Sequence, residues 1–270
     1  ILILIYNRQV LIMEEILNMV LSKWEIFLLI FIRLSGIFIF SPFFSSKNVP
    51  NIVKIGFNFM LSIIVMNVLN INSLNLKGAN YVVLIIKELS IGLIIGFISY
   101  VFFSTFYVLG QIIDMETGFA MVNVLDPQFN TQIPVMGNFY YIMSFLIFLT
   151  INGHHLLIKA LVDSYKLAPI GKFTIDKNIA FFMADIVSKS FSIGFRLSIP
   201  VITTILLIDI LMGVLSRTMP QMNVFVVGMP LKIVIGLVVV MVTLPLFGVI
   251  SNNVFEEMFN SIYEFLRLLT

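Results

Sequence analysis

The sequence contains no cysteine and few charged residues. With zero cysteines among 270 residues, disulfide bonds and thiolate chemistry are excluded. Asp, Glu, Lys and Arg together make up 11% of the residues, against about 25% in an average soluble domain. So few charged side chains cannot cover the surface of a water-soluble globule. The formal net charge of +2 is also too small to favour a nucleic-acid partner.

Catalytic and metal-binding motifs are missing from the sequence as well. It has no His-Glu-x-x-His, no Gly-x-Ser-x-Gly and no glycine-rich phosphate loop. Its two histidines, His154 and His155, are adjacent and therefore point to different faces of a helix. Asn152-Gly153 before them indicates a turn or a helix break. We predict a protein that is not an enzyme and that binds no metal and no cofactor.

Hydrophobic residues dominate the rest of the sequence. They make up 60% of it, and the mean hydropathy is +1.08. A helix that spans a membrane needs about 20 apolar residues, and lipid offers no partner for open backbone groups. The sequence therefore predicts an all-α integral membrane protein. We predict about six hydrophobic helices, over 24–44, 55–73, 84–113, 135–158, 190–213 and 231–252.

The positively charged residues outside these segments predict an orientation. Nine Lys and Arg residues fall on one side of the membrane and three on the other. The positive-inside rule then places both termini and the 159–189 region in the cytoplasm, and the 118–135 loop outside. Residues 1–12 lack an initiator Met and the features of a signal peptide, so we interpret them as an extension before a single membrane domain over 13–270.

Two stretches outside the segments have apolar residues at helical spacing. One, around 179–186, predicts a short amphipathic helix that leads into the fifth segment. The other, 254–269, is expected to lie on the membrane surface or to pack on a partner. Within the third segment, Gly92 and Gly96 form a Gly-x-x-x-Gly motif that permits close approach of another helix. The second hydrophobic region contains several asparagines that are expected to form hydrogen bonds to neighbouring helices, and the first three can line one helical face. They are Asn58, Asn67, Asn70, Asn72 and Asn75.

Three charged residues lie inside hydrophobic segments, namely Arg33, Arg196 and Asp209. A charge at the centre of a bilayer costs at least about 2.5–3.5 kcal/mol, so each one needs a reason. Arg196 and Asp209 are about 20 Å apart along a helix and cannot neutralise each other. An ion or proton path is one interpretation. A buried polar contact within an assembly is the other, and we favour it because no chain of carboxylates or histidines is present to relay protons.

Two loops are too apolar for water and too rich in Pro and Gly for a regular helix. The first is 118–135, GFAMVNVLDPQFNTQIPV, and the second is 217–232, RTMPQMNVFVVGMPLK. Irregular backbone at membrane depth is tolerated where protein encloses it or where it lines a cavity. We therefore expect other protein chains to enclose both loops, around a pore.

Four sequence blocks together resemble one family. They are FIRLSGIFIFSPFFSSKNVP at 31–50, the 118–135 loop, LTINGHHLLIKALVDSYKLAPIG at 149–171 and PQMNVFVVGMPLK at 220–232. In this order they are similar to the FliR/SctT family of type III secretion membrane proteins, and more similar to its flagellar branch. The resemblance covers essentially the whole chain from Met13 onwards.

The resemblance implies a one-copy subunit of the flagellar export gate in the cytoplasmic membrane, at the flagellar basal body. Its implied partners are FliP-like and FliQ-like subunits, an FlhB-like switch protein and the unfolded flagellar substrates in transit. The helices would form hairpins in a helical channel complex. The 118–135 loop would be a plug in that channel, and a packed connector is the alternative. Within the loop we predict that Asp126 caps a helical turn that begins at Pro127. The implied plug and gating residues are Gly118, Phe119, Met121, Asp126, Pro127, Phe129 and Pro134.

For the second loop we predict a contact between subunits that holds the fifth and sixth segments as a hairpin. A role in gating is the alternative for this loop. For the whole chain, the alternative is a secondary transporter of a small solute or ion that uses Arg33, Arg196 or Asp209, although the inverted repeats typical of such transporters are not evident. The predicted contact residues are Pro220, Gln221, Asn223, Phe225, Gly228, Pro230 and Lys232.

Overall fold

The computed structural model of the protein describes residues 24–46, 48–69, 81–121, 134–171, 178–221 and 223–269. Every regular element within these ranges is helical, which confirms the all-α prediction. The described ranges contain seven α-helices, and a short 3₁₀ helix, Phe119–Met121, follows the third. The α-helices are α1 (24–40), α2 (Asn51–Leu69), α3 (Tyr81–Thr117), α4 (Val135–Thr150), α5 (Gly153–Leu167), α6 (Asn178–Thr218) and α7 (Val224–Leu268).

The number of membrane-spanning helices differs slightly from the predicted six. In the described part of the chain, four helices are long and apolar enough to cross a membrane, namely α2, α3, α6 and Val226–Leu268 of α7. The α4–α5 pair makes up to five if it counts as one span. The first predicted segment is shorter than expected, because α1 ends at residue 40. Pro42 follows, and the residue before a proline is disfavoured in the helical conformation.

The fourth predicted segment, 135–158, is broken rather than continuous. The axes of α4 and α5 are bent by 68° at the Asn152-Gly153 turn, where the sequence signalled a break. Asn152 has a φ of 55°, in the left-handed region that Asn adopts more readily than most residues. A Cβ atom at Gly153 would overlap the ring of Phe148, so the bend brings the end of α4 against the start of α5.

The last two helices are longer than predicted. The expected short helix at 179–186 is the first part of α6, which continues for 41 residues. The 254–269 stretch is the end of α7, and its apolar residues pack inside the chain itself rather than on the membrane surface or on a partner. These residues recur every three or four positions and therefore share one face. They are Val254, Phe255, Met258, Ile262, Phe265, Leu266 and Leu269.

The prediction that the whole of 217–232 is poorly helical is wrong. Helix α7 resumes at Val224 and includes both Gly228 and Pro230. A proline removes one backbone hydrogen bond from a helix. A non-helical segment at membrane depth leaves several backbone N–H and C=O groups without a hydrogen-bond partner. Membrane helices therefore tolerate proline more readily than helices in water. Among the described residues of 217–232, the helical conformation is interrupted between Thr218 and Val224.

The chain forms two compact units. The first is drawn from Ile1–Ser99, Ile158–Asp176 and Ile262–Thr270, and the second from Tyr100–Leu157 and Lys177–Ser261. In the first unit, a Cβ atom at Gly36 would lie 2.6 Å from the carbonyl carbon of Gly92, so α1 and α3 touch through their backbones. This contact confirms the close approach predicted from the Gly-x-x-x-Gly motif.

The core of the second unit is an aromatic cluster. The Phe103 ring lies 5.1 Å from the Phe148 ring and 5.2 Å from the Phe255 ring, measured between centroids. Phe106 extends the cluster to Phe247 at 5.5 Å. These edge-on and tilted arrangements are the ones aromatic rings prefer, and they join α3, α4 and α7.

Candidate functional site

The 118–134 segment begins at Gly118, which adopts the left-handed backbone conformation that favours glycine. Thr117 is the last residue of α3, and Gly118 follows with a φ of +89°. A glycine in this conformation is a common way to end a helix, because it has no Cβ to clash. The 3₁₀ helix Phe119–Met121 comes next, and Pro134 precedes α4 in an extended conformation. Residues 122–133 lie outside the described ranges.

A buried carboxylate joins the two ends of this segment. Asp114, in the last turn of α3, is 2% exposed. Its two carboxylate oxygens each accept a hydrogen bond from the Met136 N–H at 3.0 Å, and Oδ2 accepts another from the Gly137 N–H at 3.2 Å. The first N–H groups of a helix have no partner within it, and the helix dipole favours negative charge there. Asp114 therefore caps α4 from a different helix.

Two glycines allow this cap to form. A Cβ atom at Gly110 would overlap the backbone of Met136 and Gly137, so α3 and α4 also touch through their backbones. Gly110 and Asp114 are four residues apart and share one face of α3. Beside Asp114 lies a cleft of about 280 Å³, whose lining includes Phe119 and Pro134. We call Asp114 and its hydrogen bonds to Met136 and Gly137 the Asp114 clamp.

A second polar site is fully buried in the first unit. The Arg33 side chain is completely buried, and its Nε donates to Oε2 of Glu88, which is also fully buried, at 2.6 Å. The other two nitrogens donate to the Ser164 hydroxyl and to the Ala168 carbonyl oxygen, both at 3.0 Å. The guanidinium also lies 4.1 Å from the centroid of the Tyr165 ring. The Arg33 cluster thus joins α1, α3 and the end of α5 by charge-assisted bonds and a cation–π contact.

The ends of α6 and α7 that flank their short turn form a third site, in the second unit. Lys232 of α7 forms an ion pair with Asp209 of α6. Gly228 lies against Met212, where an added Cβ would come within 3.4 Å of its side chain. Asn223 accepts a hydrogen bond from the Val226 N–H through its own side chain at 3.4 Å, as an N-terminal cap does. Large apolar side chains are nevertheless exposed around this pair, namely Leu206, Leu207, Ile210, Leu211, Val214, Val226, Val227, Leu231 and Val234.

Comparison with known sequences identifies the family. The sequence model of the family described as bacterial export proteins, family 1, matches residues 24–258. The chain belongs to this family. The flagellar biosynthetic protein FliR of Bacillus subtilis is 34% identical over 256 residues, which cover 94% of this chain and 99% of that protein. FliR of Aquifex aeolicus is 30% identical over 89% of this chain and 93% of its own length, and FliR of Escherichia coli is 30% identical over 82% and 84%.

The family match confirms the resemblance that the four sequence blocks carried. As a member of this export family, the chain is a component of the flagellar type III export apparatus. Its long apolar helices fit a component of the inner membrane. The transporter alternative is not favoured, because the export-protein match covers residues 24–258, most of the chain.

The structure describes four of the seven predicted plug residues of this export-family chain. Gly118 ends α3, Phe119 lines the cleft beside the Asp114 clamp, Met121 ends the 3₁₀ helix and Pro134 precedes α4. Asp126, Pro127 and Phe129 lie outside the described residues, and so does the predicted cap by Asp126.

The three intramembrane charges have three different environments. Arg33 is in a buried polar contact whose partners Glu88, Ser164 and Ala168 belong to the same chain, whereas the favoured interpretation expected a contact within an assembly. Asp209 forms an ion pair with Lys232, one of the predicted contact residues. Arg196 is exposed, and it forms no ion pair among the residues that the structure describes.

Sequence reasoning missed two acidic residues that organise these sites, Glu88 and Asp114. Glu88 is the only acidic residue in the 84–113 segment, and this was the available signal, since a buried Arg33 needs an opposite charge in another segment. Asp114 carried a weaker signal. It stands four residues before Gly118, but only the tertiary fold shows that it faces α4.

Most of the predicted contact residues lie on or near the α6–α7 turn. Pro220 and Gln221 are in the turn and are exposed, and Asn223 caps α7. Phe225, Gly228, Pro230 and Lys232 fall within the first turns of α7. The predicted pairing of the fifth and sixth segments matches the Asp209–Lys232 and Gly228–Met212 contacts, whereas a contact with another subunit remains a prediction.

Proposed function

We propose that this chain is a one-copy, non-enzymatic subunit of the flagellar export gate at the basal body. It assembles with FliP-like and FliQ-like subunits, works beside an FlhB-like switch protein and forms part of the path for unfolded flagellar substrates. In this proposal the 118–134 segment is the plug that closes the path between export events. The Asp114 clamp is the observation that carries the proposal.

The clamp gives a plug what it needs physically. Asp114 holds the chain where it leaves α3 close to the point where it enters α4. A segment with both ends fixed in this way forms a closed loop of defined reach, whatever conformation its middle adopts. Such a loop can be displaced by a passing polypeptide and then return to its place. The α3–α4 contact at Gly110 and Gly137 keeps its base rigid.

Removal of residues 122–131 is expected to raise the leakage of ions through the assembled gate severalfold. The deletion leaves Gly118, Pro134 and the clamp in place, so that only the middle of the segment is lost. Asp114→Ala is expected to raise leakage less, because it removes hydrogen bonds to a charged acceptor, each worth about 1.5–3 kcal/mol, but leaves the segment present. Flux of sodium or a small dye into proteoliposomes that carry the purified gate would measure both effects.

Asp185→Ala is the matched control for Asp114→Ala. Asp185 is on α6 in the same unit, and its ion pair with Lys189 is half exposed, so its loss should change neither leakage nor assembly. A deletion variant that assembles with normal composition and leaks no more than the unmodified gate would rule out the plug.

We also propose that the α6–α7 ends form a contact with a neighbouring gate subunit. The apolar side chains exposed there lie beside the Asp209–Lys232 ion pair, which sits on the same part of the two helices. This ion pair is partly exposed within an apolar surface. Charges are costly in contact with lipid, so such a surface suits a protein partner better than lipid. The internal contacts at Gly228 and Lys232 would present the two helix ends as one surface.

Val227→Lys is expected to abolish co-purification of the chain with the other gate subunits. Val227 is the fourth residue of α7 and is 47% exposed. A partner bound there would enclose the ammonium of the new lysine without an opposite charge. Val187→Lys makes the same change at a position on α6 that is 46% exposed, outside this surface, and should leave co-purification intact. Both variants are compared at equal amounts in the membrane. Equal recovery of partners with both variants would contradict the contact.

A further inference from the structure

A second cleft lies between α1 and α2 in the first unit. Its volume is about 580 Å³, within the range of about 300–1,000 Å³ that is usual for ligand pockets. Helix α1 lines it with Phe31, Ser35 and Phe38, and helix α2 lines it with Asn51, Lys54 and Asn58. Each set is spaced by three or four residues, so one face of each helix turns toward the cleft.

The inner wall of the cleft carries a polar atom without a partner. Asn58 is 3% exposed, and its Nδ2 donates to the Phe31 carbonyl oxygen at 3.3 Å. Its Oδ1 is buried and accepts no hydrogen bond in the described structure. Since buried polar atoms in native proteins are nearly always paired, this acceptor points to a ligand that brings a hydrogen-bond donor.

The mouth of the cleft is positively charged. Lys54 is partly buried, one turn before Asn58 on the same face of α2, and it forms no ion pair with any of the residues that the structure describes. Helix α2, a 19-residue helix, begins at Asn51 at the same end. The N–H groups of Val53 and Lys54 donate to the Pro50 carbonyl oxygen, and those of Asn51 and Ile52 have no partner among the described residues. None of the described lining residues is acidic. An anion therefore fits this end of the cleft.

We propose that this cleft binds an anionic phospholipid with a hydroxyl-bearing headgroup, such as phosphatidylglycerol. The phosphate binds the Lys54 ammonium and the N–H groups of Asn51 and Ile52, and a headgroup hydroxyl donates to Oδ1 of Asn58. The two positions are about 6 Å apart along the helix, which suits a short polyol headgroup. The acyl chains leave along exposed apolar side chains spaced four residues apart on α2, Ile55, Phe59 and Ile63. A neighbouring protein helix fits less well, because it would have to supply an acidic group to Lys54.

Native mass spectrometry of the full chain, stripped of lipid in detergent, tests this proposal. We expect dioleoylphosphatidylglycerol to bind more tightly than dioleoylphosphatidylcholine, and dioleoylphosphatidylmethanol, which is anionic but has no hydroxyl, to bind with intermediate affinity. Lys54→Gln should lower the affinity for phosphatidylglycerol about fivefold. Lys159→Gln, the same change at an exposed lysine in the same unit, should not. Lys54→Arg should keep the preference for phosphatidylglycerol, which separates the loss of charge from misfolding.

Three outcomes would overturn the proposal. The first is equal binding of phosphatidylglycerol and phosphatidylcholine, and the second is an equal effect of Lys54→Gln and Lys159→Gln. The third is binding of inorganic phosphate alone with an affinity that matches that of the lipid, which would assign the site to a free anion. A photo-crosslinking group at Ile39, on the rim of the cleft, adds a test in the assembled gate. Capture of lipid supports the proposal, and capture of a neighbouring subunit overturns it in favour of a protein contact.

Discussion

Arg33→Met is expected to lower the free energy of unfolding by about 3–5 kcal/mol and to reduce the amount of folded chain in the membrane. The substitution leaves Glu88 fully buried without its charge partner, and it removes the donors to Ser164 and Ala168. Loss of one partner from a buried ion pair is costly because the remaining charge cannot reach water. The cluster joins three helices, so its loss should affect all three packing contacts. Thermal unfolding of the purified chain in detergent would measure the change.

The double variant Arg33→Met with Glu88→Leu tests the cause. If the cost comes from an uncompensated buried charge, the double variant is more stable than Arg33→Met alone. Lys166→Met is the matched control, since the Lys166 side chain is exposed and surface ion pairs such as the one it forms with Asp163 contribute about 0–1 kcal/mol. A double variant that is less stable than both single variants would show instead that the packing of the Arg33 side chain dominates.

Gly92→Ala is expected to destabilise the chain by about 1–3 kcal/mol or more, although it adds a single methyl group. A Cβ atom at Gly92 would overlap the carbonyl oxygen of Arg33, which is backbone and cannot rotate away. Helix α1 must therefore move from α3. In an exposed helix the same substitution is normally favourable, because alanine has the higher helix propensity.

Gly56→Ala provides the control for this prediction. Gly56 is on α2, and no atom lies within 4 Å of the position that its Cβ would take. Its replacement should stabilise the chain by about 0.5–1 kcal/mol, the opposite sign from Gly92→Ala. If both substitutions change the melting temperature in the same direction, the backbone contact between α1 and α3 does not limit stability.

The two predictions are linked through one residue. The carbonyl oxygen of Arg33 contacts Gly92, and the side chain of Arg33 bonds Glu88, one turn earlier on α3. A shift of α1 by Gly92→Ala therefore also displaces the buried ion pair. We expect the combined effect of Gly92→Ala and Arg33→Met to be smaller than the sum of the two, because each disturbs the same contact.

The sequence by itself determined that the chain lies in a membrane, that it is helical and which family it belongs to. Eleven per cent charged residues and six apolar runs exclude a soluble globule, and a bilayer leaves the helix as the structure that pairs its own backbone. The spacing of Gly92 and Gly96 predicted a close helix contact because four residues return to the same face of a helix. Four blocks in a fixed order carried the family, since their residues are read directly along the chain.

Only the tertiary structure decided which residues are partners. Glu88 is 55 positions from Arg33, and Met136 is 22 positions from Asp114, so no local pattern connects them. The Pro and Gly signals of 217–232 predicted a loop, but a proline costs one hydrogen bond where an open loop at membrane depth costs several, and α7 continues through Pro230. The helix-breaking tendency of Pro and Gly describes how these residues behave in a helix that is surrounded by water. The partner of a buried charge and the length of a membrane helix depend instead on what the folded chain places around them.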